Sequence, residues 1–169
     1  AVPLAEMFEE TPYIWGYAVA CMGEARTLRA HGIKKPILIL GCVFPDEYEE
    51  MVEKEIRAAV YTEEMAKGMA EAAVRSGKTA FLHIKIDTGM GRIGFKVSKE
   101  SVETISRISK LPNIKMEGMF THFAKADEFD KISVKEVVIK KLIKLVKEKE
   151  VKAKEEIDEK EKVEEKAKV

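Results

Sequence analysis

The chain has 169 residues, enough for one domain with a buried core and too few for two ordinary domains. Its 30 basic and 30 acidic residues cancel, which argues against a nucleic-acid or anionic-membrane partner. No apolar run reaches the ~18 residues that a membrane span needs. Two cysteines, Cys21 and Cys42, lie in apolar contexts that suit a reducing compartment, so we expect a cytoplasmic protein.

The hydrophobic pattern predicts a helix followed by five strands that alternate with further helices. Short apolar runs such as PILIL at residues 36–40 are typical of strands covered on both faces. Thr62 and the two glutamates after it begin the fourth helix, and Ser98 is the expected N-cap of the fifth. The predicted strands are residues 14–20, 36–40, 56–61, 80–87 and 114–124, and the predicted helices are residues 4–10, 23–32, 45–55, 62–77 and 98–110.

This order of elements, with short connections throughout, predicts a parallel α/β sheet with right-handed crossovers. Five strands cannot close an eight-stranded (β/α) barrel by themselves. No GxGxxG motif follows the first strand, which disfavours a dinucleotide-binding sheet. Periodicity alone therefore leaves two architectures open, an open doubly wound sheet and part of a barrel.

The composition changes near residue 130, so we predict one unit over residues 1–130 and a tail over residues 131–169. The tail contains no aromatic residue, glycine or proline, and more than half of it is Lys, Glu or Asp. Its first part keeps an apolar stripe with helical spacing through Val134, Val138, Leu142 and Leu145. We interpret the tail as a solvated charged helix without chemistry, and the alternative is a coiled-coil or partner-binding segment.

The segment HIKIDTGMGRIGF, residues 83–95, carries the candidate functional residues. Strand alternation places Leu82, Ile84 and Ile86 on an apolar face and Phe81, His83, Lys85 and Asp87 on the opposite face. The carboxyl ends of parallel strands carry ligand sites in α/β folds. The residues at those ends are Asp87, Thr88 and Arg92 after the fourth strand and His122 after the fifth, with glycines at 89, 91 and 94.

Each of these residues taken singly is also typical of a glycine-rich turn, a surface arginine or a core histidine. Their convergence on one rim favours a ligand site instead. Glycine lets a backbone approach a ligand closely, and the planar guanidinium of Arg92 suits a carboxylate or another oxyanion.

HIKIDTGMGRIGF, together with MEGMFTHFAKADE at residues 116–128, resembles alanine racemases, the fold-type III enzymes that use pyridoxal 5′-phosphate. GYAVACMGEARTLRAHGIKKPILILG at residues 16–41 shares the resemblance, which extends from the start of the chain to about Asp130. It implies a partial (β/α) barrel whose five strands correspond to the second through sixth of the family's eight. It also implies interconversion of L-alanine and D-alanine for the bacterial cell wall (peptidoglycan), in a homodimer without a metal ion.

The resemblance also implies residue roles. Arg92 matches the catalytic arginine that hydrogen-bonds the phenolic oxygen of the cofactor and helps hold the substrate carboxylate. His122 matches the histidine that packs against the pyridine ring. Lys85 matches the lysine that is often carbamylated and then orients the arginine. We therefore expect Arg92, His122 and Lys85 to be the cofactor-binding residues.

Two family features have no counterpart in the 169 residues. The cofactor-attaching lysine lies on the family's first strand, in a KADAYGHG-like stretch, and the catalytic tyrosine lies beyond the region that matches residue 130. The resemblance thus predicts a chain that is inactive as a racemase by itself. The alternatives are a non-catalytic module that binds pyridoxal phosphate or another anion at the Arg92–His122 rim, and a truncated or engineered α/β scaffold.

Overall fold

Residues 1–124 are described by a computed structural model, and they form a parallel sheet whose strands alternate with helices. The predicted boundary near residue 130 and the predicted helical tail lie outside the described residues. In the described part, no helix is both long enough and apolar enough to cross a bilayer.

Six strands and five α-helices make up the described fold, and a single 3₁₀ turn at Pro45–Glu47 precedes the third helix. The strands are β1 (Tyr17–Val19), β2 (Ile37–Ile39), β3 (Ile56–Val60), β4 (Ala80–Asp87), β5 (Phe95–Lys96) and β6 (Ile114–Thr121), and the helices are α1 (Val2–Phe8), α2 (Met22–Ala30), α3 (Tyr48–Glu53), α4 (Glu63–Ser76) and α5 (Lys99–Ile108).

The predicted parallel α/β fold is confirmed, with differences at element ends. β4 spans the predicted residues 80–87, whereas β1 is shorter than predicted and the predicted helix 45–55 is divided into the 3₁₀ turn and α3. β5 was not predicted, because a two-residue strand carries no readable periodicity. Ser98 is the N-cap of α5, as predicted, and its hydroxyl accepts a hydrogen bond from the Ser101 amide at 3.1 Å.

β4 is the best-connected strand of the described sheet. The strands run in the order β1-β2-β3-β4, and β4 also pairs with β5 and β6, always in parallel. Ile86 of β4 pairs with both Phe95 and Thr121. The residues that follow β4 and β6 therefore emerge side by side at one edge of the sheet.

The core lies between the helices and one face of the sheet. The apolar side chains of β4, Leu82, Ile84 and Ile86, are at most 1 % exposed, as the predicted alternation requires. They share one hydrophobic cluster with buried helix residues, among them Met69 and Ile105. Burying each such side chain contributes about 1.5–3 kcal/mol, so this face stabilises the sheet.

The other face of the sheet carries charged side chains. In what we call its lower layer, around Arg57 and Glu117, these charges pair with each other. The Arg57 side chain of β3 donates from Nε to Glu117 Oε2 at 3.0 Å and from a terminal nitrogen to the Glu55 carbonyl at 2.7 Å. Its guanidinium lies 4.4 Å from the Phe81 ring centroid. The β4–β6 register shifts here, so that Leu82 faces Met116 and His83 faces Gly118, which leaves Glu117 as the extra residue of a bulge.

His83 lies beside this pair in a tight space. A Cβ atom at residue 118 would lie 2.9 Å from His83 Nδ1, so only glycine at that position leaves room for the ring. His83 Nε2 is buried, has no hydrogen-bond partner among residues 1–124 and lies 3.9 Å from Glu117 Oε2. Burial lowers the pKa of His83; the Glu117 carboxylate opposes this shift and Arg57 adds to it.

We expect Leu82→Ala to lower the free energy of unfolding by about 2–5 kcal/mol, because it removes a fully buried side chain from the centre of the sheet. Urea unfolding followed by circular dichroism measures the change. Val74→Ala on α4 is the control, since Val74 is 52 % exposed and its loss should change stability by less than about 0.5 kcal/mol. Equal effects of the two substitutions would contradict the assigned core.

We expect the free energy of unfolding to fall as the pH drops below the ordinary histidine pKa of 6.5. The folded chain holds His83 neutral to a lower pH than the unfolded chain does, so the unfolded chain binds more protons in that window. The His83 contribution is thus fully present above pH 6.5 and is lost as the pH falls through the folded pKa. Unfolding titrations at several pH values should show a smaller slope in His83→Gln than in the parent chain, and an unchanged slope would contradict the role of His83.

Candidate functional site

The register between β4 and β6 brings the predicted site residues to one rim. Ile86 pairs with Thr121, so Asp87 and His122 follow on neighbouring strands at the same edge. Lys85 pairs with Phe120 one step earlier, and Arg92 lies in the loop between β4 and β5. The site residues predicted from the sequence therefore share one edge of the sheet, although their roles stay predictions.

Lys85 is the buried cation of this rim. It is 3 % exposed, and its Nζ lies 5.0 Å from the centroid of the Phe120 ring. Burial lowers the pKa of the Lys85 ammonium, the positive charge of Arg92 lowers it further, and Asp87 opposes the shift. Lys85 therefore loses its proton more readily than an ordinary surface lysine does.

The glycine-rich loop after β4 is held by the Asp87 side chain. Asp87 Oδ1 accepts hydrogen bonds from the Gly89 amide at 2.8 Å and the Gly91 amide at 3.1 Å, and Oδ2 accepts from Gly91 at 3.0 Å. These bonds, that from Gly91 first, lower the pKa of Asp87. Gly91 has φ of 71°, in the left-handed region that favours glycine, so the turn depends on the residue type at this position.

Two further contacts hold the ends of this loop. Gly94 has φ of 135°, and a Cβ atom there would lie 2.4 Å from the Asp87 amide nitrogen, so the chain packs against the end of β4 without space for a side chain. The hydroxyls of Thr88 and Thr121 lie 2.8 Å apart and join the loop to β6. Sequence reasoning missed both contacts, because neither the Asp87–Gly94 packing nor the Thr88–Thr121 pair follows from a local pattern.

The rim has the donor chemistry of an anion site. Arg92 and His122 have exposed side chains, and Lys85 lies beneath them in the sheet. The Asp87 carboxylate is engaged by backbone amides and forms no ion pair with Lys85 or Arg92. A guanidinium, an amine, an imidazole and a loop without bulky side chains fit a ligand that carries a carboxylate or another oxyanion. Among residues 1–124, no cluster of three or more metal-ligating side chains could hold a metal ion.

Comparison with known proteins adds an independent line of evidence. A family model described as alanine racemase, N-terminal domain, matches residues 1–158. The alanine racemase of Clostridium tetani is 49 % identical over 118 residues, which are 70 % of this chain and 30 % of that protein. The alanine racemase of Methanococcus maripaludis is 49 % identical over 114 residues, 68 % of this chain and 31 % of that protein. The chain thus spans about a third of the length of these curated relatives.

Solved structures agree with the sequence matches. Alanine racemase from Clostridium difficile 630 superposes with a TM-score of 0.78 at 38 % identity, over 90 % of this chain and 39 % of that one. Its complex with cycloserine gives a TM-score of 0.79 over 90 % of this chain and 41 % of that one, also at 38 % identity. The likeness decides between the two architectures that periodicity left open, because the parallel sheet corresponds to part of an α/β barrel. The chain therefore belongs to the alanine racemase family, as part of its N-terminal domain.

Proposed function

We propose that this chain supplies one wall of a pyridoxal 5′-phosphate site whose reaction is the interconversion of L-alanine and D-alanine. The observation that supports the proposal most is the placement of Lys85, Arg92 and His122 at one edge of the sheet, where the β4–β6 register aligns two strand ends and Arg92 lies in the loop after β4. Cycloserine, an amino-acid-like ligand, is bound by the C. difficile 630 enzyme, to which the chain is 38 % identical.

The cofactor, when bound, supplies an electron-withdrawing ring that stabilises the negative charge left on an amino-acid α-carbon after proton loss. The residues of this chain position and balance charge around that chemistry. Arg92 presents a permanently charged planar fork, which in our proposal donates hydrogen bonds to the phenolic oxygen and to the substrate carboxylate. Its exposure and its place on the rim support this role.

Lys85 adjusts the charge beneath Arg92. Burial and the neighbouring Arg92 cation both disfavour the ammonium form of Lys85 and lower its pKa. The neutral amine of Lys85 is therefore populated at a lower pH than that of an ordinary lysine. We include carbamylation in the proposal: the Nζ lone pair of the neutral amine forms a bond to the carbon of carbon dioxide, and one C=O π bond opens so that its electron pair moves to oxygen. One N–H bond then breaks, its proton passes to solvent, and the product is a carbamate anion. The resulting carboxylate would hold the Arg92 guanidinium by opposite charge, where the ammonium repels it.

His122 offers a flat imidazole at the end of β6, directly after Thr121. In the proposal its ring packs against the pyridine ring and limits where the cofactor can lie. The wider assignment, a cytoplasmic homodimer that supplies D-alanine for peptidoglycan, follows from family membership and is proposed on that basis.

A non-catalytic module is the second candidate, and the exposed donors of Arg92 and His122 at the rim favour it because they suit an anion. We also expect from the family resemblance that the cofactor-attaching lysine and the catalytic tyrosine have no counterpart among the 169 residues. Racemisation needs proton donors and acceptors on both faces of the α-carbon. The chain could hold the cofactor without turning over alanine, and the two predictions below separate binding from catalysis.

We expect Arg92→Ala and His122→Ala each to weaken pyridoxal phosphate binding by roughly tenfold, the scale of one charge-assisted hydrogen bond or ring contact. Absorbance titration of the purified chain with the cofactor measures the dissociation constant. Lys67→Ala is the matched control, because Lys67 is a half-exposed cation on α4 that forms a salt bridge with Glu63 at 3.2 Å. Equal loss of cofactor affinity in all three variants would contradict binding at the rim. Absence of binding by the parent chain would favour the scaffold alternative.

We expect the purified 169-residue chain with pyridoxal phosphate to convert L-alanine to D-alanine no faster than free cofactor does. The reason is our expectation that the two proton-transfer groups have no counterpart among the 169 residues. Chiral chromatography of the products over a time course is the measurement. Steady conversion that disappears in Arg92→Ala would show that the chain is a racemase by itself.

A further inference from the structure

Asp87 occupies the junction between β4 and the glycine-rich loop, on the polar face of the strand. A carboxylate between Lys85 and Arg92 would ordinarily form an ion pair with one of them. Within residues 1–124 it forms no such pair within 4.0 Å, and its oxygens accept the Gly89 and Gly91 amides instead. The negative charge therefore shapes the backbone of the loop, and Asp87 does not take up the hydrogen-bonding capacity of Arg92.

Of the two amides that Asp87 binds, that of Gly91 is the nearer to Arg92 along the sequence. Both Asp87 oxygens lie within hydrogen-bond distance of it, at 3.1 and 3.0 Å. Gly91 immediately precedes Arg92, so a constraint on the Gly91 amide restricts the direction in which the backbone enters Arg92. A carboxylate that accepts several backbone amides gives stronger bonds than a neutral acceptor would.

The other end of the loop meets the same residue. The backbone of Gly94 packs against the amide nitrogen of Asp87 so closely that a Cβ atom would lie 2.4 Å from it. The Thr88–Thr121 hydroxyl contact at 2.8 Å attaches the loop to the strand that leads into His122. The loop of residues 88–94 thus leaves β4 at Asp87 and returns to pack against Asp87 at Gly94. Arg92 lies within this loop.

We propose that Asp87 is a positioning residue: it holds the loop of residues 88–94 in the conformation that presents Arg92 at the rim. The identity of the ligand rests on the proposed function. The inference adds Asp87 to the residues with a role at the rim. Asp87 does not contact the ligand in this proposal. Its effect on binding passes through Arg92.

Three substitutions of Asp87 separate shape from charge. Asp87→Asn keeps an oxygen at the Oδ1 position, which accepts both glycine amides, but loses the charge and places an NH2 group where Oδ2 accepts the Gly91 amide. Asp87→Glu keeps the charge and moves the carboxylate by one methylene. Asp87→Ala removes both. Positioning predicts that Asn keeps more of the loop order than Glu and Ala do, and a purely electrostatic role predicts that Glu rescues it and Asn does not.

The first measurement needs no ligand. Hydrogen exchange of the Gly89 and Gly91 amides, followed by NMR on the 169-residue chain, should be roughly tenfold faster or more in Asp87→Ala and Asp87→Glu. In Asp87→Asn the acceleration should be smaller, and smaller at Gly89 than at Gly91, because only the Gly91 amide uses Oδ2. Glu103→Ala, at an exposed carboxylate on α5, should leave the exchange unchanged. Parent-like circular dichroism excludes general unfolding, and if Asp87→Ala does not fold, the comparison of Asn with Glu decides the same question. Unchanged exchange in all three variants would overturn the proposal.

The second measurement asks whether Asp87 acts through Arg92. Asp87→Ala should weaken pyridoxal phosphate binding about as much as Arg92→Ala does, and the double variant should be no weaker than Arg92→Ala alone. Equal weakening by Asp87→Ala with and without Arg92 would overturn the positioning role. If Arg92→Ala and His122→Ala both bind like the parent chain, the proposed function is wrong, and the exchange measurement still decides whether Asp87 holds the loop.

Discussion

β4 has an apolar face and a charged face along the same eight residues, and the described structure depends on satisfying both. Leu82, Ile84 and Ile86 are buried against the helices, which commits His83, Lys85 and Asp87 to the opposite side of the sheet. A one-residue shift of register would exchange the two sets and bury the charges under the helices. The hydrophobic effect on one face therefore determines where the polar groups of the other face lie.

Those polar groups fall into two layers with different charge balance. In the lower layer, Arg57 and Glu117 form a hydrogen-bonded pair with 10 % and 13 % of their side chains exposed. In the upper layer, Lys85 and Arg92 contribute positive charge while the Asp87 carboxylate is directed to backbone amides. A charge pair that is satisfied internally stabilises or positions structure, whereas donors that remain available at a strand end can bind a ligand.

Family membership places this rim within a larger architecture. The chain covers 39 % of the Clostridium difficile 630 racemase, and the sheet superposes on part of that protein's barrel. In our proposal, the described residues provide the wall of the site that recognises oxyanions, and proton transfer at the α-carbon is a separate requirement. Binding and catalysis are then separable properties, because the former depends on a rim that this chain contains.

The sequence alone determined the elements whose signal is local. Alternation of polar and apolar residues predicted β4 at residues 80–87, and a serine before a periodic segment predicted the N-cap of α5, because both depend on neighbours a few residues away. It also predicted which residues would share a rim, since parallel strands end at the same edge.

Only the tertiary structure decided the rest. The pairing of Arg57 with Glu117 joins residues 60 positions apart through a bulge that no local pattern announces. β5 forms because Phe95 and Lys96 pair with the end of β4. The choice between a barrel and an open sheet depends on the curvature of the sheet, which the periodicity of single strands does not reveal. The use of Asp87 was equally hidden: a carboxylate beside two cations suggests an ion pair in sequence, and only the folded loop shows that it accepts the Gly89 and Gly91 amides instead.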